Sequence, residues 1–234
     1  MFSVLIQAKA LTDSLKKEKK YVMRAMTRVH SMGQFWYGGR IVTNNPTVDM
    51  SFTYDRKQWG LQVFKAFDLR DHTTDINFML AVANKNFHIG KRLTITPNVG
   101  FLFEQAHSLA DEDTDVVFIL NTSYKLSNHF TIDHSALFGN LVLVPSEKDW
   151  VNRFRLLYSY KHWDVSGWLW HNNNLFDNAA YVSSTLTIFY SRIKVTNRLL
   201  INVGVAGTIM PYTLNEVSYA RRNGMLFTVA AIIH

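Results

Sequence analysis

Cysteine is absent from this chain. That excludes a disulfide scaffold, a thiolate metal centre and a cysteine nucleophile. Proline is scarce, with four in 234 residues, and no Pro/Gly/Ser-rich linker divides the chain. Long apolar runs are missing too. The longest, such as "VVFIL" at 116–120, fall far short of the roughly 20 apolar residues a helix needs to cross a bilayer. A helical membrane protein is therefore not expected. A membrane barrel is not, because its strands alternate and never build a long run. Mean hydropathy is −0.06, so the 47% of hydrophobic residues must be patterned rather than massed.

The charge is uneven. The formal net charge is +7, but residues 11–30 hold Lys16, Lys17, Lys19, Lys20, Arg24 and Arg28 against only Asp13 and Glu18. The excess is mostly N-terminal, so it does not describe a basic face on a folded domain, and nucleic acid is not expected as a partner. Ahead of it, "MFSVLIQAKA" ends in an A-x-A pattern at Ala8-Lys9-Ala10, the kind of small-residue site a signal peptidase reads. Residues 1–10 are expected to be the remnant of a secretory signal, and 11–33 a basic N-terminal segment. In that segment Val22, Ala25, Met26 and Val29 follow a helical spacing, which favours a short helical or loose stretch. The same residues also fit a strand, with Arg24, Met26 and Arg28 alternating against Ala25, Thr27 and Val29.

Abundance begins where the lacks end. Aromatics make up 14% of the chain. From Gln34 onward the sequence shows one rhythm, period-2 alternation broken by turns. "LTITPNVGFLFE" sets Leu93, Ile95, Val99 and Phe103 against Thr94, Asn98 and Glu104. The same pattern predicts strands centred on 34–43, 48–55, 59–69, 74–84, 92–104, 115–126, 129–141, 150–161, 164–172, 181–193, 198–212 and 225–234. Each is close to the 9–11 residues that cross a bilayer at a tilt. In 74–82 the apolar face is read as Ile76, Phe78, Leu80 and Val82. The connections alternate between short ones, such as "SN" at 127–128 and "HW" at 162–163, and long polar ones, such as "QAHSLADEDT" at 105–114 and "TLNEVSYARRNG" at 213–224. A transmembrane barrel sorts its loops this way; a soluble sandwich or barrel, the alternative, has no reason to. Tyr54, Trp59, Tyr124, Phe130, Tyr160, Trp163 and Tyr190 gather near the short connections, as an interfacial belt would.

The expected fold is therefore all-β: an antiparallel up-and-down transmembrane β-barrel of about 12 strands over 34–234. An even strand count puts both termini on the short-turn side. Three residues resist the pattern. Pro97 lies inside a strand and cannot donate a ladder bond, while Lys65 and His134 fall on apolar faces. A β-bulge at each would relieve it.

"KNFHIGKRLTITPNVGFLFEQ", "SNHFTIDHSALFGNLV" and "VNRFRLLYSYKHWDV" resemble small bacterial outer-membrane β-barrel proteins, of the poorly characterised kind common in Bacteroidota. The resemblance is one of hairpin rhythm, without an active-site motif. It implies a bacterial outer-membrane location with periplasmic termini, and nothing about substrate. Many such barrels end in an aromatic residue, whereas this chain ends Ala231-Ile232-Ile233-His234.

Candidate chemistry is thin. "DHSALFGN" at 133–140 brings His134, Ser135 and Asn140 together, but adjacent strand residues point to opposite faces. Nucleophile and base could not touch. Asp111, Asp113 and Asp115 form an acidic loop without the glycine or distal Glu of a calcium site. His72, His107 and His171 lack metal-ligand spacing, and the glycines at 38, 39, 204 and 207 form no phosphate loop. Neither a cofactor nor a metal is expected. What remains is a lumen. Arg153 and Arg155, with Lys125 and Lys161, would give it a basic stripe, opposed by Asp49, Asp75, Glu104 and Asp133. Charged rings set selectivity in pores; the alternative is salt-bridging that fills a narrow barrel. The leading expectation is a narrow passive channel for ions or small solutes with weak anion preference, not an enzyme. A plugged accessory barrel is the second reading, with the 11–30 segment as plug or periplasmic contact. An outer-leaflet lipid-modifying enzyme is the third. Expected partners are membrane lipid, small ions or solutes, and lipopolysaccharide or an envelope protein.

Overall fold

The computed structural model describes residues 21–35, 39–72, 76–104, 114–139, 149–174, 178–215 and 222–233. Residues 1–20, including the expected signal remnant, lie outside them. Fifteen strands are described: β1 (Val22–His30), β2 (Gly33–Phe35), β3 (Arg40–Thr43), β4 (Thr47–Arg56), β5 (Trp59–Asp68), β6 (Phe78–Lys85), β7 (Phe87–Ile89), β8 (Leu93–Glu104), β9 (Thr114–Lys125), β10 (Phe130–Phe138), β11 (Asp149–Tyr160), β12 (Trp163–Asn174), β13 (Ala179–Lys194), β14 (Leu199–Thr213) and β15 (Gly224–Ile233).

All but β2 and β3 join one antiparallel sheet that closes on itself. β1 pairs with β4 on one side and with β15 on the other, and β6 pairs with β8. β6 and β7 are two halves of one wall strand, since Asn84↔Asn98 and Phe87↔Ile95 keep the same register on β8. The wall therefore has twelve strands, as the alternation predicts. Closure gives every wall strand two neighbours, which leaves no open edge in a medium that cannot hydrogen-bond one.

The tight connections, such as Lys57-Gln58 and Lys161-His162, all fall at one end, with the first and last wall strands. The longer ones fall at the other. Lys57, Gly90 and Lys161 have φ of 55°, 62° and 51°, the left-handed conformation that tight hairpins need.

Two expectations change at the N-terminus. Residues 22–30 form a wall strand, not a helix. Arg24, Met26, Arg28 and His30 are buried inward while Met23, Thr27 and Val29 are exposed. The pairing explains the outcome: β1 supplies the ladder that β4 and β15 would otherwise lack. This part of the 11–30 segment is thus wall, not plug. In place of the wall strand expected over 34–43, Gly33–Phe35 and Arg40–Thr43 pair as β2–β3, separate from the wall sheet.

The outer face is apolar. Phe227, Met225, Trp59, Leu186 and Ile209 are each more than half exposed, at 65%, 63%, 61%, 56% and 56%. In water this would be far beyond the few hundred Å² of contiguous apolar surface a monomer carries. Leu93, Ile95 and Val99 point out, as predicted, and Phe101 with them; Phe103, expected to meet lipid, is buried at 6% exposure, while Thr94, Thr96 and Asn98 point in. Aromatic side chains ring the short-turn end: Trp163 and Tyr190 meet edge to face at 5.1 Å, Phe130 and Tyr158 pack tilted at 4.9 Å, and the Lys85 ammonium lies 5.0 Å from the Trp59 ring. At the other end Phe138 stacks on Trp150 at 5.8 Å.

The three resistant residues are accommodated without bulges at their positions. Lys65 faces outward, half-buried between Met50 and Met79 in continuous ladders. His134 faces outward against Phe154, with ring centroids 4.4 Å apart. Pro97 sits where the ladder lapses: the wall strand breaks at Asn86, whose N–H turns to the Gln58 carbonyl at 2.7 Å.

One face is inverted relative to the sequence reading. Phe78, Leu80 and Val82 point into the barrel, and Met79, Ala81 and Ala83 point out. With Phe64, Val117, Ile119, Leu137 and Val151 they form an apolar filling across β5–β11. Both faces of β6 are apolar, so alternation alone could not orient it.

Candidate functional site

The lumen is asymmetric. One side holds most of the apolar filling; the other, under β1 and β11–β15, mixes polar side chains with Met26, Trp168, Trp170 and other apolar ones and carries a cavity of about 70 Å³. All its wall residues sit at inward positions. A second, smaller cavity of about 20 Å³ lies beside it under β8–β12, and Arg155 and Trp168 border both.

The hairpin β2–β3 closes over the first cavity from the long-connection end. Gln34 donates through Nε2 to Thr185 Oγ1 at 3.0 Å, to Thr208 Oγ1 at 2.8 Å and to the Gly39 carbonyl at 3.1 Å. Ile41 is fully buried against Ala206 and Leu226 on the inner wall. Gly39, at φ 64°, lies so close to Trp170 that a Cβ there would sit 2.3 Å from the ring. Only glycine combines that φ with that approach.

The charged lumen residues occur as knots. Arg155, 4% exposed, donates through Nε to Asp133 Oδ2 at 2.8 Å and through Nη2 to the same oxygen, while its guanidinium lies 4.9 Å from the Trp168 ring. Arg153 donates to Ser135 Oγ at 2.9 Å and lies 5.5 Å from the same ring. Asp49 takes both arms of Arg28 at 2.8 Å each. Asp49 Oδ2 also bonds His30 Nε2 at 2.8 Å, and His30 Nδ1 bonds Thr228 Oγ1 at 2.8 Å. This Asp–His–Thr relay crosses β4, β1 and β15, the seam where the first and last strands meet.

Of the residues singled out in sequence, Arg153, Arg155, Asp49 and Asp133 are inward, and the structure pairs Arg155 with Asp133 across β10–β11. Lys125 occupies an inward, half-buried position at the short-turn end. Lys161 does not join them. It sits in the exposed turn with its ammonium 5.3 Å from the Tyr160 ring, because the left-handed turn carries it off the strand. Glu104 ends β8, and Asp75 lies outside the described residues, as do Asp111, Asp113 and His107. His134 and Ser135 point to opposite faces, and His171 points outward. Among the described residues no three His, Asp or Glu side chains gather as metal ligands would.

Sequence reasoning missed Gln34, Arg28, His30 and the pair Trp168–Trp170, stacked at 5.1 Å inside the barrel. The tryptophans share strand parity with Asp164 and Ser166 in "WDVSGWLW", a signal that marks them as lumenal.

No protein-family model matches the chain, and no curated protein matches it. Its fold is similar to solved porin structures. A KdgM porin aligns with a TM-score of 0.58 at 10% identity, covering 91% of this chain and 99% of that one. A KdgM porin in complex with disordered oligogalacturonate aligns at 0.56 and 9%, covering 91% and 99%. A NanC porin aligns at 0.56 and 8%, covering 91% and 100%. At these identities the likeness is one of fold. The chain is a closed twelve-stranded, porin-like β-barrel.

Proposed function

We propose that this barrel resides in a bacterial outer membrane, termini in the periplasm, and works as a narrow passive channel for ions and small solutes. The observation that carries the reading is the lumen cavity, lined by inward residues of β1 and β11–β15 that mix polar and apolar side chains and enclosed by a wall whose outer face suits lipid. The fold shared with porins over nearly their whole length supports it. Partners in this reading are lipid and the passing solute.

The path is narrowed by β2–β3 on one side of the lumen and by the apolar filling on the other. Only solutes of modest size pass, by diffusion and without covalent chemistry. Arg28 and Arg155 border the larger cavity against the single carboxylate of Asp164, while Asp49 does not border it and Asp133 borders only the smaller cavity, and this reading assigns the path a weak anion preference. Proteoliposome swelling tests this. Small solutes should enter vesicles carrying the barrel faster than control vesicles, with the rate falling steeply with solute size. Reversal potentials should favour anions, and R155Q should move them toward cations by exposing Asp133. Cation preference in the unaltered chain counts against the reading.

The dense knots and the seated hairpin favour a second reading, a plugged accessory barrel. It predicts correct insertion with no solute flux.

A further inference from the structure

We infer that the outer face of β4–β6 at the short-turn end, where Arg56, Trp59 and Lys85 stand in one row, is a binding site for an anionic phospholipid such as phosphatidylglycerol. The inference rests on the membrane-barrel part of the proposed function and not on conduction.

Three observations converge. First, the barrel separates its charges along its axis, beyond the basic segment at 11–30. At the short-turn end Arg56, Lys57, Lys91, Arg92, Lys161 and Lys194 are all exposed. No Asp or Glu falls within 56–58, 85–92, 125–130, 160–163 or 191–199. The long connections carry acids instead, with Asp111, Glu112 and Asp113 in 105–114. A basic rim at the depth of the aromatic belt draws anionic headgroups toward it. Second, the register Arg56↔Trp59↔Lys85 sets a guanidinium and an ammonium on either side of an indole that is 61% exposed. The Lys85 ammonium lies 5.0 Å from both the Trp59 and the Phe87 rings, which holds it at headgroup level. Lys57 adds a third cation from the turn. Asp55 has the lumenal parity of Ser51 and Thr53, so it does not neutralise this outward face. Third, the pairings Leu61↔Ala83↔Val99 and Val63↔Ala81↔Phe101 leave two alanines between larger side chains. Leu61, Val99 and Phe101 are exposed. The outer face of β6 is thus the floor of a shallow apolar groove that starts at Lys85 and is walled by β5 and β8.

Together these define a headgroup site over an acyl groove. The lipid phosphate accepts from the Arg56 guanidinium and from the ammonium groups of Lys57 and Lys85. An acyl chain runs below it along Ala83 and Ala81. Charge selects the class. A choline or ethanolamine headgroup would bring a further cation among three, and a glycerol headgroup does not. The proposed topology turns this end to the periplasm, so the lipid belongs to the leaflet on that side.

The test reconstitutes the refolded full chain into phosphatidylcholine vesicles at constant ionic strength. Phosphatidylglycerol or phosphatidylcholine, brominated on its acyl chains, is added at equal mole fraction, and the tryptophan quenching that W59F removes is the signal. The brominated phosphatidylglycerol should reach Trp59 with about tenfold preference. R56Q/K85Q should bring the preference close to parity, while R198Q, across the barrel on the same rim, should leave it unchanged. A83F fills the groove with the charges intact and should weaken quenching by phosphatidylglycerol. Heat-modifiable gel mobility reports whether each barrel is folded. Equal quenching by the two lipids in the unaltered chain would overturn the inference. So would a preference undiminished in both folded R56Q/K85Q and A83F, or one lost as fully in R198Q, which would make it a field of the whole rim. Displacement of the lipid by soluble polyglutamate would give the patch to an acidic polymer and overturn it too. The two readings fail separately: an inserted barrel without lipid preference loses the site and keeps the channel, and a silent barrel with the preference loses the channel and keeps the site.

Discussion

Asp49 joins three strands through one carboxylate. It holds Arg28 in a fork and orients His30, which in turn reaches Thr228 on the last strand. Removing one member of a buried ion pair strands its partner, at a cost of about 3–5 kcal/mol. D49N should therefore lower barrel stability by roughly that amount in urea unfolding followed by tryptophan fluorescence, and loosen the β1–β15 seam first. At the opposite extreme stands Lys65, outward on the lipid face. K65L should raise stability by up to about 2 kcal/mol, since a lipid-facing lysine is costly in proportion to its depth. The sequence places both residues on the right faces by parity. It does not show what they touch. Arg155 reads as a bare lumenal cation until the register Asp133↔Arg155 is known, and a long connection, not a tight turn, joins β10 to β11, so no local turn signal fixes that register.

At the scale of elements, β2–β3 decides how open the barrel is. Its seat rests on a glycine that has no substitute. G39L would force a side chain into the Trp170 ring and a branched residue into a left-handed φ, strain of about 1–3 kcal/mol from the backbone alone. The hairpin should lift from the wall, and conductance should rise with no change in barrel assembly by gel mobility. Q34A, which removes the donor to Thr185 and Thr208, should act the same way more weakly. This element was the least legible in sequence. Residues 33–43 alternate like any strand, and nothing local says that β1 and β4 pair with each other and push the hairpin inside. β1 was ambiguous for a related reason. Its apolar residues satisfy both a period of 3.6 and a period of 2, and only the need to close the sheet settles the choice. β6 was misoriented because Phe78, Leu80 and Val82 would suit lipid as well as they suit the apolar filling.

At the scale of the molecule, tight-turn polarity, the aromatic belt and eleven of the twelve wall strands were legible from Gln34 onward; the twelfth is β1, and the total of about twelve came out right because 34–43 was counted in its place. Polarity and belt are repeated in every hairpin, so a single misread strand does not upset them. The lumen was legible only in part. Its chemistry arises between strands distant in sequence, as where Gln34 meets Thr208. The absence of cysteine permits a clean test of orientation. In intact cells, a membrane-impermeant maleimide should label R70C, in a long connection, and spare Q58C, in a tight turn. The reverse pattern would invert the proposed topology.

The most direct test of the central claim is single-channel recording of the refolded chain in a planar bilayer. Discrete, small conductance steps are predicted, anion-preferring in the unaltered chain and larger in G39L. A barrel that inserts, shows its folded gel mobility and stays silent both unaltered and as G39L would contradict the channel reading and leave the plugged scaffold in its place.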